Sequence, residues 1–242
     1  MKKIYLLLIA FLLVSCKTVE ATSTNQAKVY YHYKTIKPNL CLTFDDGPNT
    51  SQTLKVLDVL DKYKIKATFF MVGENIEYQK DVVKKLYNKG HEIGNHFYAH
   101  ENINKISKEE MKESILKTNE LIYGITGKKP TVLRPPYGFV NEDLKDICGE
   151  LNMSIILWTA DKDSRDWELT PASEMIENVT KKVTNGDIFL FHDGSKKFTN
   201  TLEAIDVIIP KLQDKGYRWV SVSTLINEKK WYSTRISYKI IF

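Results

Sequence analysis

The sequence predicts an α/β protein whose parallel strands close into a barrel. Three observations predict it. Short β-rich runs alternate with amphipathic helical segments along most of the chain. Several of the helical segments end at glycine. At 242 residues the chain has the length of one sizeable domain.

The strand candidates are Leu40–Phe44, Ala67–Val72, Glu92–Gly94, Val132–Arg134, Ser154–Trp158, Ile188–Phe191 and Trp219–Val222. Helical periodicity marks Thr53–Tyr63, Lys80–Lys89, Lys108–Gly127 and Thr201–Lys215 between them. About seven βα units of this kind argue for one single-domain parallel sheet, closed on itself. Chemistry in such folds sits at the C-terminal ends of the strands. The polar residues that follow each apolar run are therefore the candidates for function.

Composition narrows the class. With 43% hydrophobic and 27% charged residues, the chain is globular rather than disordered or fibrous. The net charge of +5 is small and the two signs are mixed along the sequence. A nucleic-acid binder would cluster its basic residues and interleave aromatics, so no nucleic-acid partner is expected. A monomer is expected.

The N-terminus reads as a leader. Lys2 and Lys3 precede an apolar run, Ile4 to Val14. That run is shorter than the roughly 20 residues of a membrane span and fits a secretory signal. It ends in Leu13-Val14-Ser15-Cys16, which resembles a bacterial lipobox. We expect residues 1–15 to be a lipoprotein signal peptide. Cys16 would carry a lipid that anchors the chain at the outer face of the cell membrane. Residues 16–36 would be the lipidated cysteine and its tether, polar and rich in Thr, Ser and Ala over 17–27. Residues 37–228 would form the folded domain, and 229–242 a tail without a readable motif. Cys41 and Cys148 sit in apolar surroundings; two buried thiols or a disulfide both fit.

Polar residues concentrate at the predicted strand ends. Leu40–Phe44 runs into Asp45-Asp46-Gly47-Pro48, and Glu92–Gly94 into Asn95-His96-Phe97-Tyr98-Ala99-His100. Val132–Arg134 leads to Pro135-Pro136-Tyr137-Gly138. Ser154–Trp158 is followed by Asp161, Asp163 and Asp166-Trp167, and Ile188–Phe191 by His192-Asp193-Gly194. Two adjacent aspartates after a buried strand repel unless an ion or an arginine relieves them. Asp-Asp-Gly-Pro is also good turn chemistry, so that run alone decides nothing. His96 and His100 are spaced i, i+4, which on a helical turn points both rings one way. One carboxylate with two histidines makes an open, three-ligand site suited to a catalytic divalent ion such as zinc, with cobalt or nickel as alternatives.

Taken together, these segments resemble the motifs of the polysaccharide deacetylases of carbohydrate esterase family four. Thr43-Phe44-Asp45-Asp46-Gly47-Pro48 resembles the first motif, and His96 to His100 the His-x-x-x-His motif. Arg134-Pro135-Pro136-Tyr137, Asp163-Ser164-Arg165-Asp166-Trp167 and Leu190-Phe191-His192 resemble the remaining three, in the same order. The resemblance spans about residues 38 to 227 and implies a distorted (β/α) barrel. It also implies metal-dependent removal of acetyl groups from a polysaccharide, with residues 37–228 as the catalytic domain. The implied roles are Asp45 as general base and Asp46, His96 and His100 as metal ligands. Arg134 would pair with Asp45, and the Tyr137 N–H would face the oxyanion. Trp167 and Leu190 would line the acetyl pocket, and His192 would be the general acid. For the aspartate that supports His192, counting forward from Trp158 gives Asp161 and counting back from Asp166-Trp167 gives Asp163. The intact Asp-Ser-Arg-Asp-Trp run favours Asp163.

Two departures stand out. Phe97 occupies a position where the family usually has Ser or Thr, and two residues are added around Lys162-Asp163. Three functions remain in view: an N-deacetylase of peptidoglycan or a chitin-like polymer, an esterase of O-acetylated polysaccharide such as xylan, and a non-catalytic glycan- or metal-binding lipoprotein. The full set of base, acid and ligand residues favours the first.

Overall fold

The computed structural model describes residues 26–194 and 199–228. The expected signal peptide, Cys16 and the tail 229–242 lie outside them. Eight strands form the sheet: β1 Val29–Tyr30, β2 Asn39–Gly47, β3 Thr68–Met71, β4 Glu92–Asn95, β5 Val132–Leu133, β6 Ser154–Ile156, β7 Ile188–His192 and β8 Arg218–Trp219. Every paired neighbour is parallel, in the order β1-β6-β5-β4-β3-β2-β7, with β8 against the start of β2. Helices α1 Gln52–Lys62, α2 Gly73–Tyr78, α3 Lys80–Asn88, α4 Lys108–Thr126, α5 Glu142–Glu150, α6 Ala172–Thr180 and α7 Thr199–Gln213 fill the connections. The molecule is an α/β fold built on a parallel sheet.

Six of the seven expected strands coincide with observed ones; the last, Trp219–Val222, shares only Trp219 with β8, and a helical segment begins at Val222. The eighth, β1, corrects the tether boundary. Val29 and Tyr30 pair with Ile155 and Ile156, and Tyr33 is buried, so the chain joins the sheet well before residue 37. A two-residue strand between polar neighbours is too short to show an alternating pattern, which is why the sequence hid it.

Among the described residues no strand pairing joins the two ends of the ladder. Residues 159–164 line β7 instead: Thr159 N–H donates to Ile188 O, Leu190 N–H to Lys162 O, and Ser164 N–H to Leu190 O. The two added residues belong to this wall. Lys162 is buried, with its ammonium on Lys181 O and 2.9 Å from the Asp161 carboxylate.

Alternation along β2 sets up the site. Leu40, Leu42 and Phe44 belong to the large apolar cluster shared with α1, α3 and α7. Cys41, between them, packs instead with Phe70, Val132, Ile156 and Ile188. Thr43 and Asp45 follow Cys41 at the same two-residue period, on the barrel's inner side. α4 shows how local sequence fixes an element. Ser107 and Glu110 form a reciprocal capping box at its start, and Gly127 ends it with φ +70°.

Candidate active site

Arg134 is the group around which the interior is arranged. It is fully buried, and its guanidinium lies 4.3 Å from the Phe70 ring centroid. It donates to the Ile156 and Leu157 carbonyls, to Thr43 Oγ1, and to Asp45 Oδ1 at 2.8 Å. A buried charge is tolerable only when paired and hydrogen-bonded, and here all three guanidinium nitrogens donate. Asp45, at the end of β2, is thereby fixed by one oxygen. Its other oxygen, Oδ2, lies 3.9 Å from His96 Nε2.

Asp46 breaks the strand alternation: its backbone is left-handed, with φ +71°, and its carboxylate lines the same cavity as that of Asp45. Asn75 on α2 holds that turn by donating to the Asp46 carbonyl at 2.8 Å. Asp46 Oδ1 lies 3.3 Å from His96 Nε2 and 3.2 Å from His100 Nε2. Burial works to raise the Asp46 carboxyl, but the His100 and His96 rings beside it hold it well below the usual carboxylate range. That oxygen is buried and has no hydrogen-bond partner among the described residues. Ligands about 2.0–2.1 Å from a tetrahedral ion stand about 3.3–3.4 Å apart, so this spacing fits three donors around one divalent cation. The donor atoms of Asp46, His96 and His100 all lie within 4.8 Å of one another.

The two histidines do not sit on a helical turn, contrary to the expectation from their spacing. Residues 96–100 form a loop in which Phe97 and His100 both have positive φ, +63° and +55°. His96 Nδ1–H donates to Arg134 O at 2.7 Å, which leaves Nε2 as the ligand atom. Phe97, where a hydroxyl was expected, is fully buried among Ile103, Met111, Ile115 and Leu133. Its N–H donates to the Asn95 side chain, whose amide donates to Ile115 O and to Asn119. The loop is thus held by an apolar plug and an asparagine. Asn95 went unread because it precedes the motif.

The aspartate beside His192 is Asp166, and this corrects the choice of Asp163. His192 Nδ1 is 2.7 Å from Asp166 Oδ1, while Asp166 Oδ2 accepts from the His192 N–H and from Thr201. Asp163 pairs through its backbone with Leu190, and its carboxylate caps the Arg165 N–H. The chain then turns at Arg165, φ +53°, into the short helix Asp166–Glu168, and this turn brings Asp166 against His192. Asp161 lies away from the site, bound to Lys162. Burial opposes charge on His192, but the Asp166 hydrogen bond and charge, with Asp45 and Asp46, push its pKa up to about 9. Burial also raises the Asp163 carboxyl above its usual value.

The three metal-ligand candidates, Asp45 and His192 open onto one cavity of about 410 Å³. Asp45, Asp46, His96, His100 and His192 line it with Tyr137, Trp158, Asp163, Trp167 and Leu190. Arg134 stands behind Asp45. Asp193 was also missed: it is buried under Gly47, where a Cβ would collide with its carboxylate, and burial raises its pKa to about 7. Cys41 and Cys148 are free and buried.

The family model for polysaccharide deacetylase matches residues 32–156. The chain belongs to the polysaccharide deacetylase family. It is 37% identical over 195 residues to a peptidoglycan-N-acetylglucosamine deacetylase of Bacillus cereus, covering 80% of this chain and 70% of that one. It is 36% identical over 200 residues to the peptidoglycan-N-acetylmuramic acid deacetylase PdaC of Bacillus subtilis, covering 81% of this chain and 41% of that one. The crystal structure of the Bc1960 peptidoglycan N-acetylglucosamine deacetylase superposes with a TM-score of 0.79 at 36% identity, over 83% of this chain and 92% of that one. This polysaccharide deacetylase is therefore a hydrolase of acetyl amides, and dependence on a divalent metal is general in its family. Asp46, His96 and His100 are the residues that fit the ion.

Proposed function

We propose that the protein removes N-acetyl groups from the N-acetylglucosamine units of peptidoglycan, at the outer face of a bacterial membrane. The observation that carries this reading is the convergence of three separate devices on one cavity: the Asp46–His96–His100 donor set, the Asp45–Arg134 pair and the His192–Asp166 pair. Amide hydrolysis needs a base for the attacking water, a donor for the oxyanion and a proton for the leaving amine.

The chain supplies each. Asp45, steadied by Arg134 through one oxygen, offers the other to take the water's proton. The Tyr137 N–H is the expected oxyanion donor. His192, kept charged by Asp166, delivers a proton to the departing nitrogen. Trp167 and Leu190 enclose the acetyl methyl group. Asp46, His96 and His100 would hold a divalent ion, zinc by the donor set with cobalt or nickel as substitutes, which when bound would polarise the carbonyl and make the water more acidic.

The relatives named above act on peptidoglycan, which favours that polymer over a chitin-like or O-acetylated one. A lipid on Cys16 with a polar segment over 17–27, about 35–40 Å when extended, would keep the domain within reach of the wall. The test is acetate release from peptidoglycan, N-acetylglucosamine oligomers and acetylxylan, each with zinc or cobalt. Peptidoglycan is expected to be the preferred substrate. Activity confined to acetylxylan would replace this reading with that of an esterase, and inertness toward all three with that of a binding protein.

A further inference from the structure

The rim of the cavity exposes aromatic surface that neither the core nor the chemistry above employs. Tyr137 is 59% exposed and Phe139 is 42% exposed. Their ring centroids are 6.1 Å apart with planes at 35°, and the Tyr137 ring stands edge-on to His100 at 4.9 Å. A continuous aromatic strip therefore leads from a metal ligand outward along one bank of the cleft.

The backbone is shaped to present it. Tyr137 has φ +61° and Gly138 φ +71°. A Cβ on Gly138 would run into Trp158, so the turn folds tightly over that indole. Beyond the turn, Val140 packs back into the apolar cluster around Phe97 and Leu144, while Phe139 belongs to none of the apolar clusters. Leaving a phenyl ring in water next to a substrate cavity forgoes burial that its neighbour obtains. Trp167, which lines the same cavity, is 57% exposed. Phenylalanine has no polar handle, and its ring offers a flat apolar face suited to another such face. The partner of that kind contiguous with this cavity is the C–H face of a sugar ring in the same chain as the acetylated unit.

We propose that Phe139 determines specificity for polymer length, by stacking on a pyranose next to the one being deacetylated. This rests on the polysaccharide reading above. The occupant follows from continuity: Tyr137 lines the cavity, and Phe139 extends the same surface by one ring.

The test uses the full chain with zinc and compares the N-acetylglucosamine dimer with the pentamer. Wild type should have the higher kcat/KM on the pentamer, mainly through KM. Phe139→Ala should shrink that pentamer-to-dimer advantage roughly three- to tenfold, the size of one aromatic stacking contact. Phe139→Trp should restore it. An unchanged ratio in Phe139→Ala overturns the proposal, including the case where both substrates fall together because the turn is disturbed. A wild type inert toward both oligomers but active on acetylxylan would instead overturn the N-acetylglucosamine reading, and this inference with it.

Discussion

His192 and Asp166 carry the clearest residue-scale prediction. His192 is needed as the charged imidazolium, and its pKa is pushed up to about 9. A proton donor of that kind loses activity as pH rises through its pKa. Removing the Asp166 charge lowers that pKa, so Asp166→Asn should move the alkaline limb of the kcat/KM profile to lower pH, by about one unit or more. A bound cation offsets the contribution of Asp45 and Asp46 but not that of the direct Asp166 hydrogen bond. Asp163→Asn should leave the limb closer to wild type; the reverse pattern would refute the Asp166 pairing. The motif made Asp45, Asp46, the two histidines, Arg134 and His192 legible as a set, because each follows an apolar strand. It did not show which aspartate faces His192, because the answer depends on a left-handed turn at Arg165 and on where two added residues go.

At the scale of elements, the metal-ligand loop between β4 and α4 is the informative piece. Its left-handed residues are held by the Asn95 side chain, which joins the Phe97 N–H to Ile115 and Asn119 on α4. Asn95→Ala leaves those buried polar groups unpaired and frees the loop. Metal affinity, measured by isothermal titration with zinc, should fall about 10- to 100-fold, the usual effect of removing a support behind a ligand. Unchanged affinity would show that the loop is held without Asn95, by Phe97 packing and the remaining loop hydrogen bonds. Sequence periodicity located the predicted helices well because their caps and apolar faces are local signals. It failed at residues 96–100, where i, i+4 spacing arises from a loop, and at β1, where two residues pair only through tertiary contact.

At the scale of the whole molecule, the chain joins a catalytic barrel to an N-terminal segment read as an anchor. Among the described residues no helix is long and apolar enough to cross a membrane. The proposed point of attachment is Cys16. Mass spectrometry of the membrane-extracted protein should find an acyl-modified N-terminal cysteine, and Cys16→Ala should release the protein; an unmodified Cys16 would remove the anchor from the account. In the proposed mechanism one divalent ion held by Asp46, His96 and His100 and one base, Asp45, together deacetylate peptidoglycan. The most direct measurement reads metal content and acetate release from peptidoglycan in the same samples of wild type, chelated wild type, zinc-restored wild type and Asp45→Asn. The expected result is one ion per chain with activity, loss of both on chelation, return of both with zinc, and an Asp45→Asn protein that keeps its ion while releasing no acetate. Acetate release that persists in the metal-free protein, or in Asp45→Asn, would contradict it.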